Sequence, residues 1–270
     1  MSDRSDQNAN ATPAEGTVRL TIDGAIARIV FDRPAARNAM TWAMYEGLVT
    51  ACDQVQQDPA VRVATLRGAG GKAFVAGTDI EQFKSFGGGA DGIAYEERVA
   101  HYVGALHRLT KPTLAIVDGW AVGGGMALAS ACDFRIAVQG AKFGVPIART
   151  LGNCLSIGNL HSLTQMLGPA MVKRMVMLSD VVEAQELVAC GYLLDVVSSE
   201  DIDTVAAELT ERLAANAPVT MSVTKQALAR LAASELPSDE DLVELCYGSN
   251  DFREGVDAFV AKRKPVWTGT

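Results

Sequence analysis

Residues 111–133 read KPTLAIVDGWAVGGGMALASACD. The apolar run Thr113 to Val117 predicts a buried strand, glycines follow at 123, 124 and 125, and the small apolar residues from Met126 to Ala131 predict the start of a closely packed helix. A strand, a glycine turn and a helix together make an anion site. The first amides of a helix have no acceptor inside it, the helix dipole favours negative charge there, and glycine lets a ligand approach the backbone. The same glycines also suit plain tight packing of helix on strand, and the triplet alone leaves both readings open.

A second segment bears on that choice. Residues 72–80, KAFVAGTDI, again end an apolar strand in small residues ahead of a helix start. Two such turns in one domain can aim two N–H donors at one carbonyl oxygen, which is an oxyanion hole.

These segments, AF-x-AG-x-D-I and KP-x-x-A-x-V-x-G-x-x-x-GGG, are preceded by Arg33-Pro34 and Asn38-Ala39. They are followed by Asp251, Glu254-Gly255, Ala258-Phe259 and Lys262-Arg263. Together, over roughly residues 17 to 266, they resemble the crotonase (enoyl-CoA hydratase/isomerase) superfamily. The resemblance implies an α/β chain folded as a crotonase-like spiral of ββα repeats with a C-terminal helical trimerisation region. It implies an acyl-CoA thioester as substrate, with coenzyme A part of that substrate and no separate cofactor or metal. Homotrimers, or hexamers made of two trimers, are the assemblies it implies.

The resemblance makes the backbone amides of Thr78 and Gly124 the oxyanion donors, a role in which the Thr78 side chain need not matter. It puts the substrate along Arg37, Ala39, Lys72, Ala76, Asp79, Ile80, Ala127, Ile147 and Asn153. Ala76 would meet the adenine end of coenzyme A through its backbone. Arg37 is either a phosphate contact or a solvated loop arginine, and Asp79 suits a helix cap or structural acid as well as a ligand contact. Lys262 is either a phosphate contact or a solvated lysine.

Hydratases of this family use two glutamates, one just after the glycine turn and one after the proline of an F-G-x-P-E segment, because one group must take a proton from water while another delivers one to the α-carbon. Ala127 and Ile147 stand at those positions. Neither transfers protons, which puts in doubt both ordinary two-glutamate hydration and the one-glutamate double-bond isomerase chemistry that uses the second position, and leaves another lyase, hydrolase or isomerase step, or a non-catalytic acyl-CoA-binding protein, as readings. In residues 148–156, ARTLGNCLS, Asn153 and Ser156 can orient water or a polar acyl group, Arg149 can pair with a carboxylate, and Cys154 acts only if activated; equally, the segment can simply cap the following helix. His101, on the helix between the two oxyanion segments, is the acid/base candidate, against the alternative of an exposed helical histidine. Glu96 and Glu97 on the same helix are the carboxylates to check beside it.

The rest of the chain bounds the function. Its 270 residues are 49% hydrophobic but only 6% aromatic, enough for one substantial aliphatic core. The net charge of −8 disfavours nucleic acid and anionic membrane surfaces as partners. Five cysteines without a C-x-x-C pair suit buried thiols, and a cytoplasmic location is expected. Residues 1–16 read as a disordered tail, 17–200 as the spiral core and 201–270 as a helical oligomerisation region. The segment 85–92, with its Gly87-Gly88-Gly89, is expected to be mobile and to be followed by a helix from Ile93 to Leu109, and a helix is expected to start at Val181.

Overall fold

The computed structural model describes residues 15–232, 238, 240–268 and 270; the tail expected over 1–16 lies, apart from Glu15 and Gly16, outside them. The Asp23-Gly24 hairpin signal produces antiparallel β1 (Thr17–Asp23) and β2 (Ile26–Asp32). Helix α1 (Trp42–Gln57) follows, its first turn capped by the Thr41 hydroxyl, which accepts the Met44 amide at 3.2 Å. From there the chain repeats one pattern. A strand enters a first sheet, a short strand enters a second, and a helix returns.

The turns of this spiral are β3 (Val63–Gly68), β4 (Ala73–Val75) and α2 (Gly89–Arg108), then β5 (Thr113–Val117), β6 (Trp120–Val122) and α3 (Gly124–Ala131). Next come β7 (Phe134–Val138), β8 (Lys142–Gly144), α4 (Ile147–Thr150) and α5 (Ile157–Met177), then β9 (Val181–Glu183), α6 (Ala184–Val188) and β10 (Asp195–Val197). The six-stranded sheet has the order β1-β2-β3-β5-β7-β10 and is parallel from β2 onward; the four-stranded sheet has the order β4-β6-β8-β9. Strands buried on both faces of a parallel sheet need continuous apolar runs, which is why Thr113 to Val117 is buried throughout.

Helices α7 (Ile202–Ala215), α8 (Pro218–Ala232), α9 (Glu240–Tyr247) and α10 (Asn250–Val260) complete the chain. Helix α7 buries Ile202, Ala206 and Thr210 and lies on β3, β5 and β7, so the first helix past residue 200 belongs to the layer covering the sheet. No residue of α8 is buried, and Val219, Val223, Leu228 and Leu231 are exposed along it.

Two expectations are corrected. Helix α2 starts at Gly89 rather than Ile93, because this glycine serves packing: a Cβ at Gly89 would stand 2.4 Å from the Glu244 Cα, so α2 and α9 touch backbone to backbone. Residues 181–183 form β9, paired antiparallel with β8, and the expected helix starts only at Ala184; two adjacent valines suit the edge of a sheet better than a helix start.

One buried side chain ties the loop before α1 to the sheets. Asn38, fully buried and at a positive φ of 58°, accepts the Arg33 amide at 2.9 Å and donates to the carbonyls of Ala69 at 3.0 Å and Ala73 at 2.8 Å. Asn38→Ala strands all three backbone groups, so it is expected to lower stability by about 2–4 kcal/mol, measured as a shift in the denaturation midpoint at unchanged slope.

Candidate active site

Strands β4 and β6 are hydrogen-bonded parallel neighbours, so the turns at their C-terminal ends lie side by side. The first is Ala76-Gly77-Thr78 and the second is Gly123-Gly124. A Cβ on Gly123 would meet the Gly77 Cα at 3.6 Å, and one on Gly124 would meet the Thr78 Oγ1 at 3.2 Å. Neither the Thr78 nor the Gly124 amide has a hydrogen-bond acceptor among the described residues. By contrast, the flanking Asp79 amide is spent on the Met40 carbonyl and the Gly123 amide on the Gly144 carbonyl.

The three glycines have separate reasons. Gly123 adopts φ 54° and ψ −121°, outside the range of side-chain-bearing residues. A Cβ on Gly124 would stand 2.9 Å from the Tyr45 hydroxyl, and one on Gly125 would stand 1.9 Å from the Val75 carbonyl oxygen. Both readings of the triplet therefore apply: the last glycine seats α3 on β4, while the middle one keeps space open at an unspent amide.

The two turns border a cavity of about 190 Å³. Its walls are mostly apolar, with Ile80 and Phe83 from the first turn's segment, Val99 of α2, Ala127 of α3, and Leu151, Leu155 and Phe259 opposite. Ala76, Ile147 and Asn153 also line it, so five of the nine predicted substrate-binding residues meet at this cavity with Thr78 and Gly124. Asn153 donates from Nδ2 to the Tyr247 hydroxyl at 3.4 Å, and its Oδ1 is buried without a partner among the described residues.

The other four lie outside the cavity lining. Arg37 and Lys72 are exposed, and the backbone carbonyl of Arg37 accepts the Ala76 amide at 3.0 Å. The Ala39 carbonyl accepts from Arg33 Nη1 at 3.2 Å. Asp79 pairs with Arg33 at 2.7 Å and caps the short helical turn Ile80–Phe83, which matches its alternative reading as a structural acid. Arg149 is exposed. The Cys246 side chain beside Cys154, together with burial, pushes the Cys154 thiol up, away from the thiolate a nucleophile needs.

His101, the acid/base candidate, does not line the cavity. Helix α2 turns residues 92, 95, 96, 99, 102, 103 and 106 inward, and position 101 falls on the opposite face, where His101 is exposed against the edge of Tyr102. Glu97 is exposed as well. Glu96 is the carboxylate that reaches the cavity. It is 6% exposed, its Oε1 accepts from the Tyr247 hydroxyl at 2.9 Å, and its Oε2 accepts from the Ser156 amide at 3.1 Å. The Ser156 amide at the head of α5 thus orients an acid, while the Ser156 side chain makes no capping bond.

Three tyrosines around the site carry no sequence signal of their own. Tyr45 of α1 and Tyr95 of α2 both reach Thr78 Oγ1 at 2.9 Å, and Tyr247 of α9 holds Glu96. Burial raises all three phenols, Tyr45 to about 12, so they stand as neutral hydrogen-bonding groups at physiological pH.

Residues 21–270 match the model of the enoyl-CoA hydratase/isomerase family. Among characterised proteins, the chain is 30% identical to a short-chain-enoyl-CoA hydratase of Clostridium acetobutylicum, over 92% of this chain and 95% of that protein. It is 34% identical to a carnitinyl-CoA dehydratase of Salmonella enteritidis, over 94% and 98%. Among solved structures, it is similar to methylmalonyl-CoA decarboxylase in complex with 2-nitronate-propionyl-CoA, with a TM-score of 0.87 at 28% identity over 94% of this chain and 99% of that one.

Proposed function

The chain belongs to the enoyl-CoA hydratase/isomerase family, and from that premise we propose that it binds a short acyl-CoA thioester and stabilises the enolate formed when a proton leaves the α-carbon. The observation that carries this reading is the meeting of two unspent turn amides, those of Thr78 and Gly124, at the edge of a mainly apolar cavity. A thioester oxygen held between them gains charge as the enolate develops, and each donor then contributes more than it does to the ground state. The cavity's small volume and apolar walls favour a short acyl chain over a long or charged one.

Glu96 supplies the proton-transfer group in this reading. Ala127 and Ile147 line the same cavity and have no exchangeable proton, so a hydration that needs two carboxylates fits poorly, whereas one carboxylate suffices for proton removal and return at a single carbon. An isomerase step that inverts the α-carbon through an enolate, or a lyase step whose enolate needs only one proton delivered to that carbon, is therefore favoured. The second reading is a non-catalytic acyl-CoA binder. The observation favouring it is that the Tyr247 and Ser156 contacts of Glu96 also suit a purely structural acid.

The experiment incubates the protein with butyryl-CoA in D2O, following α-proton exchange by NMR and affinity by calorimetry, beside a turnover panel of crotonyl-, branched, aromatic and dicarboxylic CoA esters. Binding with exchange supports the enzyme. Binding without exchange or turnover supports the binder, and absence of binding removes both.

For assembly, we propose that the exposed apolar residues of α8 are covered by further copies of the chain in a trimer or a hexamer. Light scattering that finds a stable monomer at micromolar concentration overturns this.

A further inference from the structure

Thr78 Oγ1 stands 2.9 Å from the Tyr45 hydroxyl and 2.9 Å from the Tyr95 hydroxyl, which donates to it. Three hydroxyls carry three protons, and two contacts consume two of them. Tyr45 is fully buried, and Thr78 is its hydrogen-bond partner. Were Thr78 the donor in that contact, the proton of Tyr45, which does not line the cavity, would have no acceptor among the described residues, which is costly. Tyr45 therefore donates too, Thr78 accepts twice, and its own proton is uncommitted. A Cβ on Gly124 would crowd both the Tyr45 hydroxyl, at 2.9 Å, and Thr78 Oγ1, at 3.2 Å, but of the two only Thr78 lines the cavity, so its proton is the one available beside the second turn.

We propose that the Thr78 hydroxyl is a third hydrogen-bond donor to the thioester oxygen, beside the amides of Thr78 and Gly124, with Tyr45 and Tyr95 as positioning residues that hold and polarise it. The proposal rests on the acyl-CoA reading above. Nitrogen and hydroxyl of one threonine are close enough to converge on a single acceptor, and a hydroxyl that accepts two bonds donates a stronger third. The side chain that a backbone-only hole leaves irrelevant becomes part of the hole.

The test uses butyryl-CoA labelled with carbon-13 at the carbonyl. Its carbonyl stretch when bound is read by isotope-edited infrared, its affinity by calorimetry and its α-proton exchange by NMR in D2O. Thr78→Val is expected to slow exchange by about ten- to hundredfold, as loss of one donor among several, with affinity changed by less than about threefold. The carbonyl band moves to higher frequency in that variant, and Thr78→Ser recovers most of the rate and the band position. The triple variant Thr78→Val, Tyr45→Phe, Tyr95→Phe leaves no stranded hydroxyl and is expected to behave as Thr78→Val does.

Wild-type exchange and band position in the valine or the triple variant overturn the proposal, as does Thr78→Ser that stays as slow as valine. Wild-type protein that fails to bind butyryl-CoA overturns the acyl-CoA reading itself. Wild-type protein that binds without exchange overturns the enolate step, while the infrared comparison still decides the hydroxyl.

Discussion

Gly124→Ala is expected to slow α-proton exchange by at least about a hundredfold while leaving the protein folded. The added methyl would stand 2.9 Å from the Tyr45 hydroxyl and 3.2 Å from Thr78 Oγ1, so it invades the space beside the Gly124 amide and displaces the groups around it. Those contacts are with the ends of side chains, which leaves the strands intact. Gly125→Ala is the contrasting variant: its methyl would lie 1.9 Å from the Val75 carbonyl oxygen, a backbone atom of a buried strand, and it is expected not to fold. Exchange rates and circular dichroism melts of the two variants separate damage to the hole from damage to the core. A Gly124→Ala protein that exchanges at the wild-type rate would sink the two-amide reading.

Glu96→Gln is the second large effect. Removing the proposed proton-transfer group is expected to slow exchange by about 10²- to 10⁴-fold with butyryl-CoA affinity nearly unchanged, because the amide keeps the size of the side chain. The Tyr247 hydroxyl can still donate to the amide oxygen, but the amide nitrogen would then face the Ser156 N–H, donor against donor, so a modest loss of stability accompanies the variant. His101→Ala, on the outer face of α2, is expected to leave exchange unchanged. Full exchange in Glu96→Gln would return the protein to the search for another base.

Much of this was legible because it depends on short-range pattern. The Asp23-Gly24 hairpin, the Thr41 cap and the two strand-turn segments each express local backbone chemistry, and parallel pairing of β4 with β6 then brings the turns together. The acid was harder to choose. Glu96, Glu97 and His101 lie within six positions on one helix, and only the rotation of α2 against its neighbours decides that residue 96 faces inward. The hydroxyl cluster was out of reach: Tyr45 and Tyr95 stand 33 and 17 residues from Thr78, and no periodicity relates them. Gly89 misled for a related reason, while Gly87 and Gly88 do lie in the loop before α2. A glycine run reads as a flexible loop unless the backbone it must approach, here Glu244, is already known.

In the proposed two-turn arrangement the gripping atoms belong to the main chain, and every amino acid except proline carries them. A scan of substitutions at position 78 would thus register changes in the hydroxyl while remaining blind to the nitrogen beside it, unless the peptide link were replaced by an ester. That indifference holds at position 78 alone: at the second turn the path of the main chain depends on the glycines at 123, 124 and 125, so there the side chain that must be absent is what keeps the amide within reach.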